Sequence, residues 1–430
     1  MAADTGKPSL TAVGDAMQGL ESTDAAARRA CLARLERWCD DGLPDGAGAL
    51  ILECASRSFA PADAYPATPN EQLVQLLWNG RTSVAGEDVE SVFPELDEGC
   101  RASAIRLLAE LATRPASESL ARVLSRCATG GLPRVAWPFL LPLERAPRDP
   151  DLLIPPLLDR VAETDGVGPV HATLLAFAGA RMFTQEQSRR GAGIIARQAS
   201  HAIGDLGRRL ADHGLAGRWE DEYVSMKVEV GLLLDLLARL EPQSAVPVLE
   251  RAVSSPDPWI KMWGALGMVR AESPVDPRVF LQIAASAECR IPLARQLDEL
   301  ARSELFPADF LNQPSLAEAA MVEWLLSPTE LGRAPDEIEQ LDVVPLETDD
   351  GVADLYVFAF RTRPPHFLAD KGSIVGISGP FLSSHQPTFE GMGATFSRFE
   401  TLACRSIEEH VQVLLETVDG MSGRGDLPDE

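Results

Sequence analysis

From Thr23 onward, apolar residues return at three- and four-residue steps and stop at Gly, Pro or Asp, the pattern of short two-faced helices. Ala27, Cys31, Leu35 and Trp38 share one face, Thr23 or Asp24 can cap the run, and Gly42 with Pro44 ends it. A second helix is expected over 46–56, and Asn70 reads as the N-cap of a third over 71–79 with Leu73, Leu76 and Leu77 inward. The same unit then repeats. Residues 101–113 and 116–127 flank the Arg114-Pro115 break, followed by 151–163, 170–182, 187–213, 223–240, 244–253 and 257–270. Asp276 or Pro277 opens a further helix toward Ala285, and Pro292 opens another through Leu305.

After Leu326 the texture changes to alternating and β-branched runs. Strands are expected over 341–347, 354–362, 373–377 and 394–399, with Asp349-Asp350-Gly351 as a hairpin turn. Ser406-Ile407-Glu408-Glu409 matches a capping box and opens a closing helix with Val411, Leu414 and Leu415 on one side. The expected organisation is a frayed N-terminus (1–20), a helical-repeat domain (21–326), a small α+β module of three or four strands (327–420) and an acidic disordered tail (421–430).

Two segments carry a family resemblance. Ala245-Val246-Pro247-Val248-Leu249-Glu250-Arg251-Ala252-Val253 looks like the first helix of a HEAT repeat with its early Pro. Asp257-Pro258-Trp259-Ile260-Lys261-Met262-Trp263-Gly264-Ala265-Leu266 looks like the second. Leu153-Ile154-Pro155-Pro156-Leu157-Leu158 repeats the first-helix pattern upstream, about two repeats of roughly 40 to 47 residues away. Arg101 to Leu111 resembles another second helix, whereas the Pro-rich segment 130–149 departs from the pattern. The resemblance implies a mainly α fold, a HEAT-like α-α solenoid of pairs that bury their apolar faces on one another, and an extended surface for a macromolecule. Irregular stacking and a compact helical domain fit the same residues.

Charge narrows the partners. With 64 Asp and Glu against 39 Lys and Arg the net charge is −25, which repels nucleic acid and anionic membranes and favours a basic protein. The same charge would also serve solubility alone. No apolar run approaches a membrane span and the first residues lack a signal-peptide pattern, so a cytoplasmic location is expected. The seven cysteines are scattered without a Cys-x-x-Cys pair or a His cluster, which predicts buried thiols and neither a disulfide framework nor a zinc site.

Motifs for chemistry are sparse, and no catalytic residue, metal or cofactor is expected. Gly391-Met392-Gly393 lacks the third glycine of a dinucleotide loop, and Gly376-Ile377-Ser378-Gly379 has the wrong spacing for a nucleophile elbow. His366, His385 and His410 fall in the C-terminal module with Cys404, where a Cys/His nucleophile pair could be assembled. Arg333, Asp336, Glu337 and Glu339 form a charged cluster where helical texture gives way to strands. Trp259, Lys261 and Trp263 are candidates for partner contact, against core packing of the two indoles between repeats. The expected function is a non-enzymatic scaffold or adaptor for a basic protein, with a neutralising, immunity-type role as one version. The other reading is a hydrolase or lyase with its site in the C-terminal module or at the domain junction.

Overall fold

The computed structural model describes residues 8–60, 68–79, 84–111, 113–130, 150–163, 168–214, 218–327, 329–348, 351–363, 366, 368–382 and 395–422. Among the described residues there are seventeen α-helices and one four-stranded antiparallel sheet near the C-terminal end, so the chain is mainly α. No helix among them is long and apolar enough to cross a membrane. The Pro-rich stretch 131–149, His385, the Gly391–Gly393 triplet and the tail from 423 lie outside the described residues.

Contacts divide the chain into two compact units, residues 1–202 with 228–245, and residues 203–227 with 246–430. The first contains α1 (Leu10–Gln18), α2 (Ala25–Asp41), α3 (Ala47–Ala55), α4 (Pro69–Asn79), α5 (Gly86–Val92), α6 (Glu98–Glu110), α7 (Arg114–Gly130), α8 (Pro150–Glu163) and α9 (Gly168–Gly179). Three helices, α10 (Gln185–His213), α11 (Asp221–Leu240) and α12 (Pro242–Val253), contribute residues to both. The second unit continues with α13 (Pro258–Arg270), α14 (Pro277–Ala284), α15 (Ala287–Glu299) and α16 (Gln313–Leu325). Strands β1 (Glu337–Thr348), β2 (Gly351–Arg361), β3 (Ile374–Leu382) and β4 (Thr395–Phe396), then α17 (Ile407–Ser422), complete it.

Local chemistry explains the helix starts. Asp24 Oδ1 accepts from the Ala26 amide at 2.9 Å, and Asp257 Oδ1 accepts from Trp259 at 2.9 Å and Ile260 at 3.3 Å. The capping box at α17 is reciprocal: the Glu409 amide donates to Ser406 Oγ at 3.3 Å and the Ser406 amide to Glu409 Oε2 at 2.9 Å.

Three expectations need correction. The chain is ordered well before residue 21, because Ser9 caps α1 and Val13, Ala16 and Met17 are buried. Asn70 is not a cap. Thr68 takes that place, accepting from the Glu71 amide at 3.2 Å, while the buried Asn70 donates to the carbonyls of Ala55 and Arg57. Pro292 does not open a helix but lies inside α15, which begins at Ala287.

In the first unit α1 to α9 pack each on a helix next or next but one in the chain, as in α3 on α4, α4 on α6, α5 on α7, α6 on α7 and α7 on α9. Its core contains one polar group with a pH signature. His171 is fully buried, its Nε2 faces Gln198 Oε1 at 3.1 Å, and its Nδ1 has no hydrogen bond, with Glu229 3.9 Å away. Burial pulls its pKa down from 6.5 to about 4, so the folded protein holds it neutral. Between those values the unfolded chain binds the extra proton, so stability is full above pH 6.5 and falls as the pH drops toward 4. The loss from this residue is about 3 kcal/mol. Urea titrations at neutral and acid pH check it: His171→Gln should flatten the slope, and an unchanged slope would place its source elsewhere.

The sheet runs in the order β1-β2-β3-β4, with Thr348 paired to Gly351 across the first hairpin and a bulge between Gln340 and Asp342. Tyr356, Phe358, Phe360 and Ile374 face Ala317, Met321 and Leu325 of α16. Leu355, Val357, Val375 and Ile377 face Val411 and Leu414 of α17. A sheet covered on both faces explains why β2 reads as an almost unbroken apolar run.

Candidate functional site

Within the second unit, one indole gathers the cations of several elements. Trp219 lies in the turn before α11, with the Arg218 guanidinium 4.9 Å, the Lys227 ammonium 5.0 Å and the Arg333 guanidinium 5.8 Å from its ring centre. Lys227 also lies 5.9 Å from the Trp259 ring. Carboxylates balance two of the cations, Glu288 at 3.8 Å from Arg218 and Asp336 against Arg333. Trp219 Nε1, Arg333 Nε and Glu288 Oε2 are buried without a hydrogen-bond partner. Nearby, Tyr223 donates to Asp257 Oδ2 at 2.7 Å, so one carboxylate both caps α13 and satisfies a buried phenol. Burial, then the Asp257 charge, pushes the Tyr223 pKa up, which fixes the phenol as a donor.

The sequence candidates separate on this frame. Arg333, Asp336 and Trp259 lie around Trp219 and its cations, whereas Glu337 turns to Arg363 at 2.7 Å and Arg361 at 3.8 Å. Asp336 Oδ2 also accepts from the Arg363 amide at 2.7 Å, tying the start of β1 to the end of β2. Glu339 is exposed on β1, and Lys261 donates to Gln282 at 2.6 Å. Trp259 and Trp263 are partly buried against the core of α13, α14 and α15. Sequence reasoning missed Arg218, Trp219 and Lys227, although an Arg-Trp pair just before a helix start was a readable signal.

A second cluster lies at the other end of the module. Residues 398–404 are pinned beside β3: the Val375 amide donates to Glu400 O at 3.1 Å, and the Leu402 amide to Ser373 O at 2.8 Å. Phe399 takes a left-handed φ of 55° and sits 5.9 Å from Trp324 and 6.1 Å from Phe360. Cys404, exposed at the end of a short 3-10 turn, has its Sγ 4.0 Å from Nε2 of His410, which is only 2% exposed. Donor atoms of Glu400, Cys404 and His410 all lie within 4.8 Å of one another. Of the four residues considered for nucleophilic chemistry, Cys404 and His410 meet. His366 is apart, its Nδ1 accepting from the Leu368 amide at 3.2 Å, and its pKa is pulled down by burial and then by Arg333.

In the first unit, a cleft of about 520 Å³ opens between α7 and α8, lined by Arg114, Arg122, Asp151, Asp159 and Arg160 among others. Its cations are spent on neighbours, Arg114 on Glu118 at 3.0 Å and Arg122 on Glu90 at 2.8 Å. Those pairs leave it a mixed, self-neutralised surface.

No family model matches this chain. No curated protein matches it either. Among solved structures it is similar to the crystal structure of an engineered protein, at 16% identity over 74% of this chain and 84% of the other, with a TM-score of 0.23.

Proposed function

We propose that the chain is a protein-binding scaffold, a HEAT-like array of helix pairs ending in an acid-rich sheet, that holds a partner with a basic surface. The observation that carries this reading is where the charge sits. Residues 301–350 contain twelve Asp and Glu against two Arg, in a chain whose net charge is −25. Most of the first part of that excess is spent internally, Glu304 on Arg302, Glu318 on Arg290 and Glu323 on Arg295. Along β1 it is not. Glu339, Asp342 and Glu347 are exposed and make no ion pair among the described residues.

β1 is also an edge of the sheet, so these carboxylates line an open border. The bulge at Gln340/Asp342 and Pro345 interrupt that border against the addition of a continuous strand. Charge, more than backbone pairing, is what it offers. Packing of successive helices on the next and next-but-one supports the array half of the reading, since stacked pairs contact only near neighbours in sequence. Neutralising a basic toxin or nuclease is the use to which such a surface lends itself most directly.

The test is a triple charge reversal, Glu339→Lys, Asp342→Lys and Glu347→Lys, at sites whose exposure leaves the fold intact. Immobilised wild-type chain should retain a basic protein from its native extract at low salt, and the variant should lose it. Equal retention by both, or retention of an acidic protein, would overturn the reading.

A further inference from the structure

We propose that Glu400, Cys404 and His410 form a binding site for one divalent transition-metal ion of the zinc class, reached from solvent beside the start of α17. The sequence spaces them Glu-x3-Cys-x5-His, a pattern with no standing of its own, and it is the fold that makes them converge. Their donor atoms lie within 4.8 Å of one another, with Sγ and Nε2 4.0 Å apart. Around a tetrahedral zinc ion, bond lengths place adjacent donors roughly 3.5 Å apart. The ion therefore needs the donors to draw together by about 0.5 to 1.3 Å, within the reach of side-chain rotation.

Each donor suits the role. Cys404 is exposed, so an ion arriving from solvent meets the thiol first. The buried His410 is held by its helix, behind the Ser406/Glu409 capping box, with Nε2 aimed at the sulfur. Its other contact, 3.4 Å to the Leu402 carbonyl, is long and gives up little when the nitrogen turns to a metal. Glu400 is fixed at the backbone by the strand-like bond to Val375. Its carboxylate touches Arg398 at 3.6 Å and Arg405 at 3.1 Å, and both guanidinia are more than two-fifths exposed, so these are surface pairs of small worth that a divalent ion can displace. Thiolate and carboxylate together neutralise the ion's two charges. Sulfur, imidazole and carboxylate favour zinc over magnesium or calcium, which select all-oxygen shells. Three protein donors leave a fourth position for water or another exogenous ligand.

A thiolate–imidazolium nucleophile is the competing use of the same pair. In that use a carboxylate belongs on the ring nitrogen away from the sulfur, where it orients the base, whereas the Glu400 donor lies within 4.8 Å of the Cys404 sulfur as well as of the imidazole.

The experiment is a cobalt titration of the full chain after dialysis against a chelator. One equivalent of Co²⁺ should bind with a thiolate-to-cobalt band in the near ultraviolet and the intense visible absorption of a four-coordinate ion, and Zn²⁺ should bleach both. Cys404→Ser, at an exposed position with no packing to lose, should abolish the charge-transfer band. Glu400→Gln should weaken binding at least tenfold. Zinc should also slow alkylation of Cys404 by iodoacetamide. The proposal is overturned if equimolar cobalt gives no band, if the band survives Cys404→Ser, or if alkylation of Cys404 proceeds at the same rate with zinc present.

Discussion

Replacing Arg290 with methionine should lower the unfolding free energy by about 3–5 kcal/mol, the range for breaking one side of a buried ionic network. Arg290 is 5% exposed, yet its guanidinium joins three elements. Nε donates to the last carbonyl of α14, Ala284, at 2.6 Å. Nη1 reaches Ser315 O at 3.0 Å and Glu318 in α16, and the group lies 4.7 Å from the Phe310 ring centre. Methionine fills much of the volume but leaves the Glu318 carboxylate and a helix-end carbonyl without their donor. Arg290→Lys should recover less than half of the loss, because one ammonium cannot serve acceptors arranged around a planar fork. Guanidinium titrations with an unchanged m-value give the comparison, and a loss below about 1 kcal/mol for the methionine variant would show the network to be dispensable.

Gly264→Ala should cost roughly 2–3 kcal/mol through overpacking. An added Cβ at Gly264 would stand 2.8 Å from the Val253 amide nitrogen, 2.9 Å from Leu249 O and 2.8 Å from Ala252 Cβ, so α12 and α13 would have to part. Two of those neighbours are backbone, which no rotamer change relieves. The same substitution in α10 has the opposite sign. Gly193 and Gly207 are exposed helical positions with nothing within 4 Å of the added carbon. Gly193→Ala and Gly207→Ala should each gain about 0.4–1 kcal/mol from reduced backbone freedom in the unfolded chain. Thermal unfolding of the three variants side by side decides the matter: a neutral Gly264→Ala would mean that this helix pair is not closely packed.

Both outcomes bear on what the residues alone could tell. Helix positions were legible because caps such as Asp24, Asp257 and Ser406 act within a turn of themselves. Asn70 misled because its side chain satisfies two carbonyls of the preceding segment, which only the tertiary fold brings near. The strands were legible too, but the second cover of the sheet was not. Composition does not mark out α16, since α3 and α9 are more apolar, and what assigns it to the sheet is the close approach at Gly376, where a Cβ would meet Met321 Cε at 2.5 Å. The unbroken apolar run Leu355-Tyr356-Val357-Phe358-Ala359-Phe360 was a hint that both faces are buried. For the sites, Arg333 and Asp336 were identifiable as a charged cluster, while the indole that Arg333 approaches is more than a hundred residues away in sequence. Cys404 and His410 were visible only as two reactive types in one module. A 3-10 turn pinned to β3 brings them face to face.

Electrostatic capture of a basic protein is the central claim, and salt tests it most directly. The measurement is the dissociation constant between this chain and the protein it retains, by calorimetry at about 0.05 M and about 0.5 M NaCl, over which the screening length shortens roughly threefold. Affinity should fall tenfold or more at the higher salt, with most of the loss in the association rate. An affinity unchanged within a factor of about two would mean that the acidic border of β1 takes no part in holding the partner.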